Sequence, residues 1–149
     1  VIVGHGSRGG IELAARRLGV ADRVTIFQDV SHPFLVALYR NAELFMLLPR
    51  NDNFDVEGFG LAFLEAAAAG LPVIGTLDSG AADAVSDDRN GVLVPPRDAA
   101  RAAQAIKRIL VDKRIREHFS LGSVAFAREM SWERAARDYL SVYRRVLSA

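Results

Sequence analysis

The chain contains no cysteine among its 149 residues. Disulfides, thiolate catalysis and zinc sites built from cysteine are therefore excluded. A chain without cysteine suits a reducing compartment, so we expect a cytoplasmic protein.

Long apolar runs and an excess of charge of one sign are also missing. No stretch approaches the ~18 consecutive apolar residues that a membrane-spanning helix requires. The 19 basic residues are matched by 18 acidic ones, for a net charge of +1. This balance gives no electrostatic case for nucleic-acid binding. The chain opens on Val1 rather than on methionine, and we expect it to be a portion of a longer protein.

What the chain does contain is enough apolar material for one core. Half of its residues are hydrophobic, which at this length predicts a single domain, residues 1–149. Short apolar runs alternate with helical periodicities. The predicted strands are 1–3, 24–27, 44–48, 73–75 and 92–94, and the predicted helices are 10–19, 33–41, 60–69, 79–86, 99–111, 113–128 and 132–147. This alternation predicts an α/β fold, with a parallel sheet covered on both faces.

Residues 55–76 carry the strongest local signal. Gly58 and Gly60 lack a Cβ, so the backbone there can approach a ligand closely. Strong helix formers follow, up to Gly70, which is typical of a helix end. A helix that starts near Gly60 directs free N–H groups and the positive end of its dipole at whatever lies over the loop. The pattern predicts an anion site.

Two glutamates flank this predicted helix start. Glu57 lies just before it, where a carboxylate can reach the non-phosphate part of a ligand whose phosphates rest on the helix end. Glu65 comes about two turns later among apolar neighbours, and a carboxylate there is costly unless it is paired. Vicinal ribose hydroxyls are suitable donors. The alternative is that both are solvated acids, as most glutamates are.

The segment EGFGLAFLEAAAAGLPVIGT resembles the E-x7-E signature of glycosyltransferase family 4, the retaining nucleotide-sugar transferases with two Rossmann-like domains (GT-B). Other segments resemble the family in order and approximate spacing: VIVGHG, LGVADRVTIFQDV, LYRNAELFMLLP, NGVLVPPRD and SWERAARDYLSVYRRVL. The resemblance covers nearly the whole chain. It implies a Rossmann-like C-terminal donor-binding domain.

The same resemblance implies an activity and a set of site residues. The activity is metal-independent transfer of a hexosyl group from a UDP- or GDP-sugar, with retention of configuration and without a cofactor. Glu57 would position the donor sugar. The implied donor-binding residues are Gly58, Phe59, Gly60, Leu61, Glu65, Gly4, Gly6, Asp29 and Val30.

Parts of the resembled family have no counterpart here. These are the N-terminal acceptor domain and the first strand and helix of the second domain. That strand is central in the order 3-2-1-4-5-6, so we expect a sheet without its middle. We therefore expect residues 1–149 to be inactive alone and to need the missing domain as partner. Two further associations are expected of the complete protein or of this chain. One is peripheral membrane association through the complete protein, and the other is dimerisation through exposed apolar surface.

Two other functions remain open. Gly4-x-Gly6-x-x-Gly9 follows a predicted strand, and Asp29 lies about 20 residues further on, which is the pattern of an NAD- or FAD-binding domain. That interpretation leaves the glycine-rich helix start at Gly60 unexplained. The third hypothesis is an α/β interaction module that binds neither ligand.

The last predicted helix carries an apolar stripe. Its residues recur at i, i+3, i+4 and i+7 between Trp132 and Leu147, with Ser131 as the predicted N-cap. Such a stripe is typical of a core face. The resemblance implies instead that its far end is bare, because the last helix of that family crosses to the partner domain.

Overall fold

A computed structural model describes residues 1–49 and 58–148 of the chain. The strands are β1 (Ile2–Val3), β2 (Ile26–Phe27), β3 (Phe45–Met46), β4 (Val73–Thr76) and β5 (Gly91–Val94). The helices are α1 (Gly9–Arg17), α2 (His32–Asn41), α3 (Leu61–Ala68), α4 (Ala81–Ala84), α5 (Ala99–Val111), α6 (Lys113–Glu129) and α7 (Trp132–Leu147).

All the described strands pair in parallel. β1 pairs with β2, and β4 lies between β3 and β5. The predicted parallel α/β fold is confirmed. The sequence predicted a sheet without its middle strand, and the described strands do form two separate sheets. These sheets belong to separate compact units, Val1–Leu38 and Tyr39–Ala149.

The predicted elements form, with differences at their ends. Helix α4 covers only part of the predicted 79–86. The Ser79 hydroxyl donates to the Thr76 carbonyl at 2.8 Å and accepts from the Ala81 N–H at 3.2 Å, which makes a turn before the helix. Val85 is already extended, with φ −114° and ψ 109°. A 3-10 turn at Ala21–Arg23 was not predicted.

The core of the larger unit lies on both faces of the three-stranded sheet. Val73 and Ile74 are consecutive in β4, so their side chains point to opposite faces. On the first face β4 packs with α3 and α4, through Phe63, Ala66, Ala81, Ala84 and Val85. On the second face it packs with α5 and α6, through Ala102, Ala105, Ile109 and Phe119. The sheet is therefore covered on both sides, as predicted.

Helix α3 ends at a fixed point. Gly70 adopts φ +81°, its N–H donates to Ala67, and the Leu71 N–H donates to Ala66. These two bonds form a Schellman motif, which requires a left-handed residue at Gly70. The buried Ser123 hydroxyl of α6 donates to the Leu71 carbonyl at 2.6 Å. The C-terminal end of α3 is thereby attached to α6.

The apolar stripe of α7 is exposed along the whole helix. Ser131 caps the helix as predicted, because its hydroxyl accepts from the Arg134 N–H. Trp132 is 80% exposed, Tyr143 59% and Leu147 86%. The prediction of a core face is therefore wrong, and the bare surface is not confined to the far end. Within the described residues, no helix combines the length and apolarity that crossing a bilayer requires.

Candidate functional site

Helix α3 begins at a glycine that adopts a left-handed conformation. Gly60 is buried and has φ 74° and ψ 64°, where a Cβ is strained. The helix starts at Leu61, which confirms the predicted start near Gly60. Glu65 follows one turn later, about 6 Å along the axis.

Among residues 1–49 and 58–148, no side chain caps the start of α3, and the first turn of the helix contains no acid. Helices α5, α6 and α7 differ, because the side chains of Asp98, Asp112 and Ser131 accept from their first N–H groups. An uncapped helix start keeps unsatisfied N–H groups and the positive end of the dipole available. The geometry at α3 therefore suits an anion supplied by a ligand.

Glu65 is exposed, and its carboxylate has a protein partner. The Tyr39 hydroxyl, near the end of α2, donates to Glu65 Oε2 at 3.1 Å. The sequence interpretation placed Glu65 in apolar surroundings on account of its neighbours in the chain. Its neighbour Ala66 is buried, whereas Glu65 itself faces solvent. The prediction that Glu65 lies in apolar surroundings and needs a partner to offset its burial is therefore wrong.

Tyr39 was not predicted as a site residue. Its ring packs edge-on against Phe45 with centroids 5.8 Å apart, and Phe45 packs edge-on against the buried Phe63 at 5.4 Å. Burial of the ring, and after it the negative charge and hydrogen bond of Glu65, raise the pKa of Tyr39 to about 12. The phenol is therefore a protonated donor at neutral pH.

Most of the predicted site residues near α3 are described. Gly58, Phe59, Gly60 and Leu61 lie together at the start of the helix, as predicted. Gly58 and Leu61 are exposed, whereas Phe59 packs against the cluster that contains Phe63. Glu57, the predicted donor-sugar residue, lies outside the described residues.

The remaining predicted residues lie in the smaller unit, at the carboxyl ends of β1 and β2. Gly4 and Gly6 follow β1, and Asp29 and Val30 follow β2. The Gln28 side chain donates to the Gly6 carbonyl at 2.6 Å. The residue that follows β2 is therefore hydrogen-bonded to the glycine loop that follows β1.

The side chains of His5 and Asp29 are in contact across these two strand ends. His5 Nδ1 lies 3.0 Å from Asp29 Oδ1, and both side chains are 84% exposed. In an NAD-binding domain the acid at this place holds a ribose. Asp29 remains exposed beside His5, so this contact does not decide the dinucleotide interpretation.

Comparison with known proteins identifies the family. The chain matches the family described as Glycosyl transferases group 1 over residues 1–122. The chain belongs to this family. It is 40% identical over 133 residues to a D-inositol 3-phosphate glycosyltransferase from Salinispora tropica, covering 89% of this chain and 26% of that protein.

Solved structures agree on the fold. The chain superimposes on sucrose-phosphate synthase from Thermosynechococcus elongatus with a TM-score of 0.82 and 30% identity, covering 98% of this chain and 38% of that one. It also superimposes on the C-terminal domain of a glycosyl transferase group 1 family protein from Francisella tularensis, with a TM-score of 0.70. That match has 22% identity and covers 83% of this chain and 61% of the other.

These comparisons decide between the open interpretations. The fold is that of the C-terminal domain of a GT-B glycosyltransferase, and the NAD or FAD alternative is not favoured. The chain spans about a quarter of the length of the Salinispora relative, with 26% covered. The expectation that a complete protein carries a further domain fits this length.

Proposed function

We propose that this chain is the donor-binding domain of a retaining glycosyltransferase that transfers a hexosyl group from a nucleotide-diphosphate sugar without a metal. The observation that carries the proposal is the uncapped start of α3 at Gly60. An E-x7-E motif, from Glu57 to Glu65, spans that start. The family, glycosyl transferases group 1, supports the transfer of a sugar.

The leaving group is the part of the reaction that α3 stabilises. When the bond to the anomeric carbon breaks, that carbon becomes cationic and the diphosphate gains negative charge. A preorganised helix dipole aimed at the diphosphate stabilises this charge without a metal. Gly58 and Gly60 allow the backbone to approach the phosphate oxygens.

The two glutamates bind the sugars on either side of the diphosphate. Glu65 accepts hydrogen bonds from the ribose hydroxyls and so fixes the nucleoside. Glu57 binds hydroxyls of the donor sugar and orients it for attack. Retention follows from a front-face displacement, in which the acceptor attacks from the side that the diphosphate leaves and no protein nucleophile is needed. The donor is a UDP- or GDP-sugar.

The acceptor is bound by another domain of the complete protein. We propose that the main chain near Asp29 and Val30 borders the nucleobase and that Gly4 and Gly6 take part in donor binding. Residues 1–149 alone then bind the donor incompletely and do not turn it over.

Calorimetric titration of the complete protein with UDP-sugars, GDP-sugars and NAD tests the proposal. We expect one class of nucleotide sugar to bind and NAD to give no heat. Glu65→Gln removes the negative charge of the carboxylate that accepts hydrogen bonds from the ribose hydroxyls. The Kd of this variant for the nucleotide sugar should therefore rise at least about tenfold. Glu57→Gln should lower the transfer rate more than donor binding.

Glu117→Gln is the matched control. Glu117 is an exposed helical glutamate of α6 that pairs with Lys113. It should leave the Kd for the nucleotide sugar unchanged. Binding of NAD without binding of any nucleotide sugar would overturn the proposal in favour of a dinucleotide site, and binding of none of them would favour an interaction module.

A further inference from the structure

Tyr39 and Glu65 come from different elements and meet at the surface of the larger unit. Tyr39 is near the end of α2 and Glu65 is in the middle of α3, 26 residues apart in the chain. The hydroxyl of Tyr39 and Oε2 of Glu65 are 3.1 Å apart. No ion pair formed within residues 1–49 and 58–148 includes Glu65. Within that part of the chain, the phenol is therefore the group that restrains the carboxylate.

The ring that carries this hydroxyl is itself held in place. Tyr39 packs edge-on against Phe45 of β3, with an angle of 66° between the rings. Phe45 packs edge-on against Phe63 of α3 at 88°, and Phe63 is fully buried. The Tyr39 ring is therefore fixed, through Phe45, against α3. Its hydroxyl donates to Glu65 of the same helix.

A glutamate on a helix surface is otherwise free to rotate about three side-chain torsions. Ordering such a side chain at the moment of binding costs conformational entropy. A hydrogen bond from a fixed donor settles that orientation beforehand, and preorganisation of this kind increases affinity.

The hydrogen bond leaves the carboxylate able to bind a ligand. An ionised carboxylate has about four acceptor positions on its two oxygens. Tyr39 uses one of them on Oε2, and within the described part of the chain no hydrogen bond reaches Oε1 of this exposed side chain. Two adjacent hydroxyls can therefore still donate to Glu65 while the phenol holds it.

We propose that Tyr39 is a positioning residue for donor binding, which orients the Glu65 carboxylate toward the vicinal hydroxyls of the nucleotide's ribose. This inference rests on the proposed function, because it presupposes that Glu65 binds the ribose. Tyr39 does not touch the donor and acts through Glu65. Its contribution should therefore be largest with ligands that offer both ribose hydroxyls.

The test compares nucleoside diphosphates that differ in the ribose. Calorimetry of the complete protein gives the Kd of the ribonucleoside diphosphate and of its 2′-deoxy and 3′-deoxy analogues. Tyr39→Phe keeps the ring and removes the hydroxyl. We expect it to weaken the ribonucleotide roughly three- to tenfold, as for the loss of one hydrogen bond, and to weaken the deoxy analogues by a smaller factor, because each keeps only one hydroxyl for Glu65.

A double-mutant cycle identifies the route of the effect. In a Glu65→Gln background, Tyr39→Phe should have no further effect on ribose discrimination, because the group that it orients has lost its charge. Tyr143→Phe is the control, since Tyr143 is an exposed tyrosine of α7. It should leave every Kd unchanged.

The outcomes separate this inference from the proposed function. If Glu65→Gln abolishes ribose discrimination and Tyr39→Phe does not change it, the positioning role of Tyr39 is wrong and the donor site stands. If Tyr39→Phe weakens ribo- and deoxynucleotides equally, Tyr39 has only a structural role, and the inference is overturned. A wild-type protein that binds no nucleoside diphosphate, or that does not discriminate the ribose, overturns both.

Discussion

The hydroxyl of Ser123 lies 2.6 Å from the carbonyl oxygen of Leu71, on a chain segment 52 residues away. Ser123 is fully buried in α6, and Leu71 follows the Schellman end of α3. The same hydroxyl lies 3.2 Å from the Asn90 carbonyl. One serine therefore joins α6 to the end of α3 and to the turn before β5.

Replacing Ser123 by alanine should destabilise the fold. The Leu71 carbonyl would lose this partner while remaining buried, which costs about 1–3 kcal/mol. Urea unfolding of the wild-type and Ser123→Ala chains measures the loss. Ser141→Ala removes an exposed hydroxyl on α7 and should change the free energy of unfolding by less than about 0.5 kcal/mol. Equal effects of the two substitutions would contradict the role of Ser123.

Two helical glycines should respond in opposite ways to alanine. A Cβ at Gly122 of α6 would lie 1.9 Å from the Arg89 carbonyl oxygen. We expect Gly122→Ala to destabilise the chain by roughly 1–3 kcal/mol or more, because backbone must move. A Cβ at Gly10 of α1 meets nothing within 4 Å, so Gly10→Ala should be neutral or stabilise by up to about 1 kcal/mol. Thermal unfolding of both variants checks the sign.

The glycines that precede α3 should separate stability from ligand binding. Gly60→Ala places a Cβ at φ 74° and should cost about 1–2 kcal/mol of stability. A Cβ at Gly58 would meet no described atom within 4 Å, so Gly58→Ala should leave the unfolding transition unchanged. If the backbone at Gly58 contacts the donor, Gly58→Ala should bind the nucleotide sugar more weakly than the wild-type protein, although its stability is unchanged. Unchanged donor affinity in Gly58→Ala would argue against the close approach.

The ionisation of Tyr39 should report its contact with Glu65. The pKa of Tyr39 is raised from 10.0 to about 12, first by burial and then by Glu65. The protonated phenol therefore stabilises the fold below about pH 10, and this contribution is lost as the pH rises toward 12. NMR of labelled tyrosine, assigned with Tyr39→Phe, should show Tyr39 mostly protonated at about pH 11.

Glu65→Gln provides the control for that titration. It removes the negative charge and should lower the pKa of Tyr39, while burial of the ring keeps part of the shift. Equal midpoints of Tyr39 in the wild-type protein and in Glu65→Gln would show that the contact is absent in solution, and a wild-type midpoint near pH 10 would contradict the burial of the ring as well.

Local signals were sufficient to predict most of the secondary structure. Ser131 marks the start of α7, and its side chain accepts the predicted N-cap hydrogen bond. Gly70 ends α3 as predicted, and the structure shows that it does so with a left-handed φ. These features depend on residues three or four apart, which a sequence displays directly.

Relationships between distant segments could not be predicted in the same way. Nothing near Tyr39 indicates that its hydroxyl meets Glu65, because the contact depends on how α2, β3 and α3 pack. The surroundings of Glu65 were misjudged for a related reason: neighbours in sequence point to different sides of a helix. The stripe of α7 has the periodicity of a core face, yet Trp132 is 80% exposed. Periodicity identifies an apolar face and does not reveal what covers it.

Gly60 and Gly70 both adopt left-handed φ, at 74° and 81°, and they bracket α3. These two glycines therefore fix the residues at which the helix starts and ends, and so fix its length. Inserting or deleting one residue would turn Glu65 by about 100° relative to one of those ends and away from Tyr39. Evolution can exchange side chains along α3, but a change in its length would have to be accompanied by a new partner for the carboxylate.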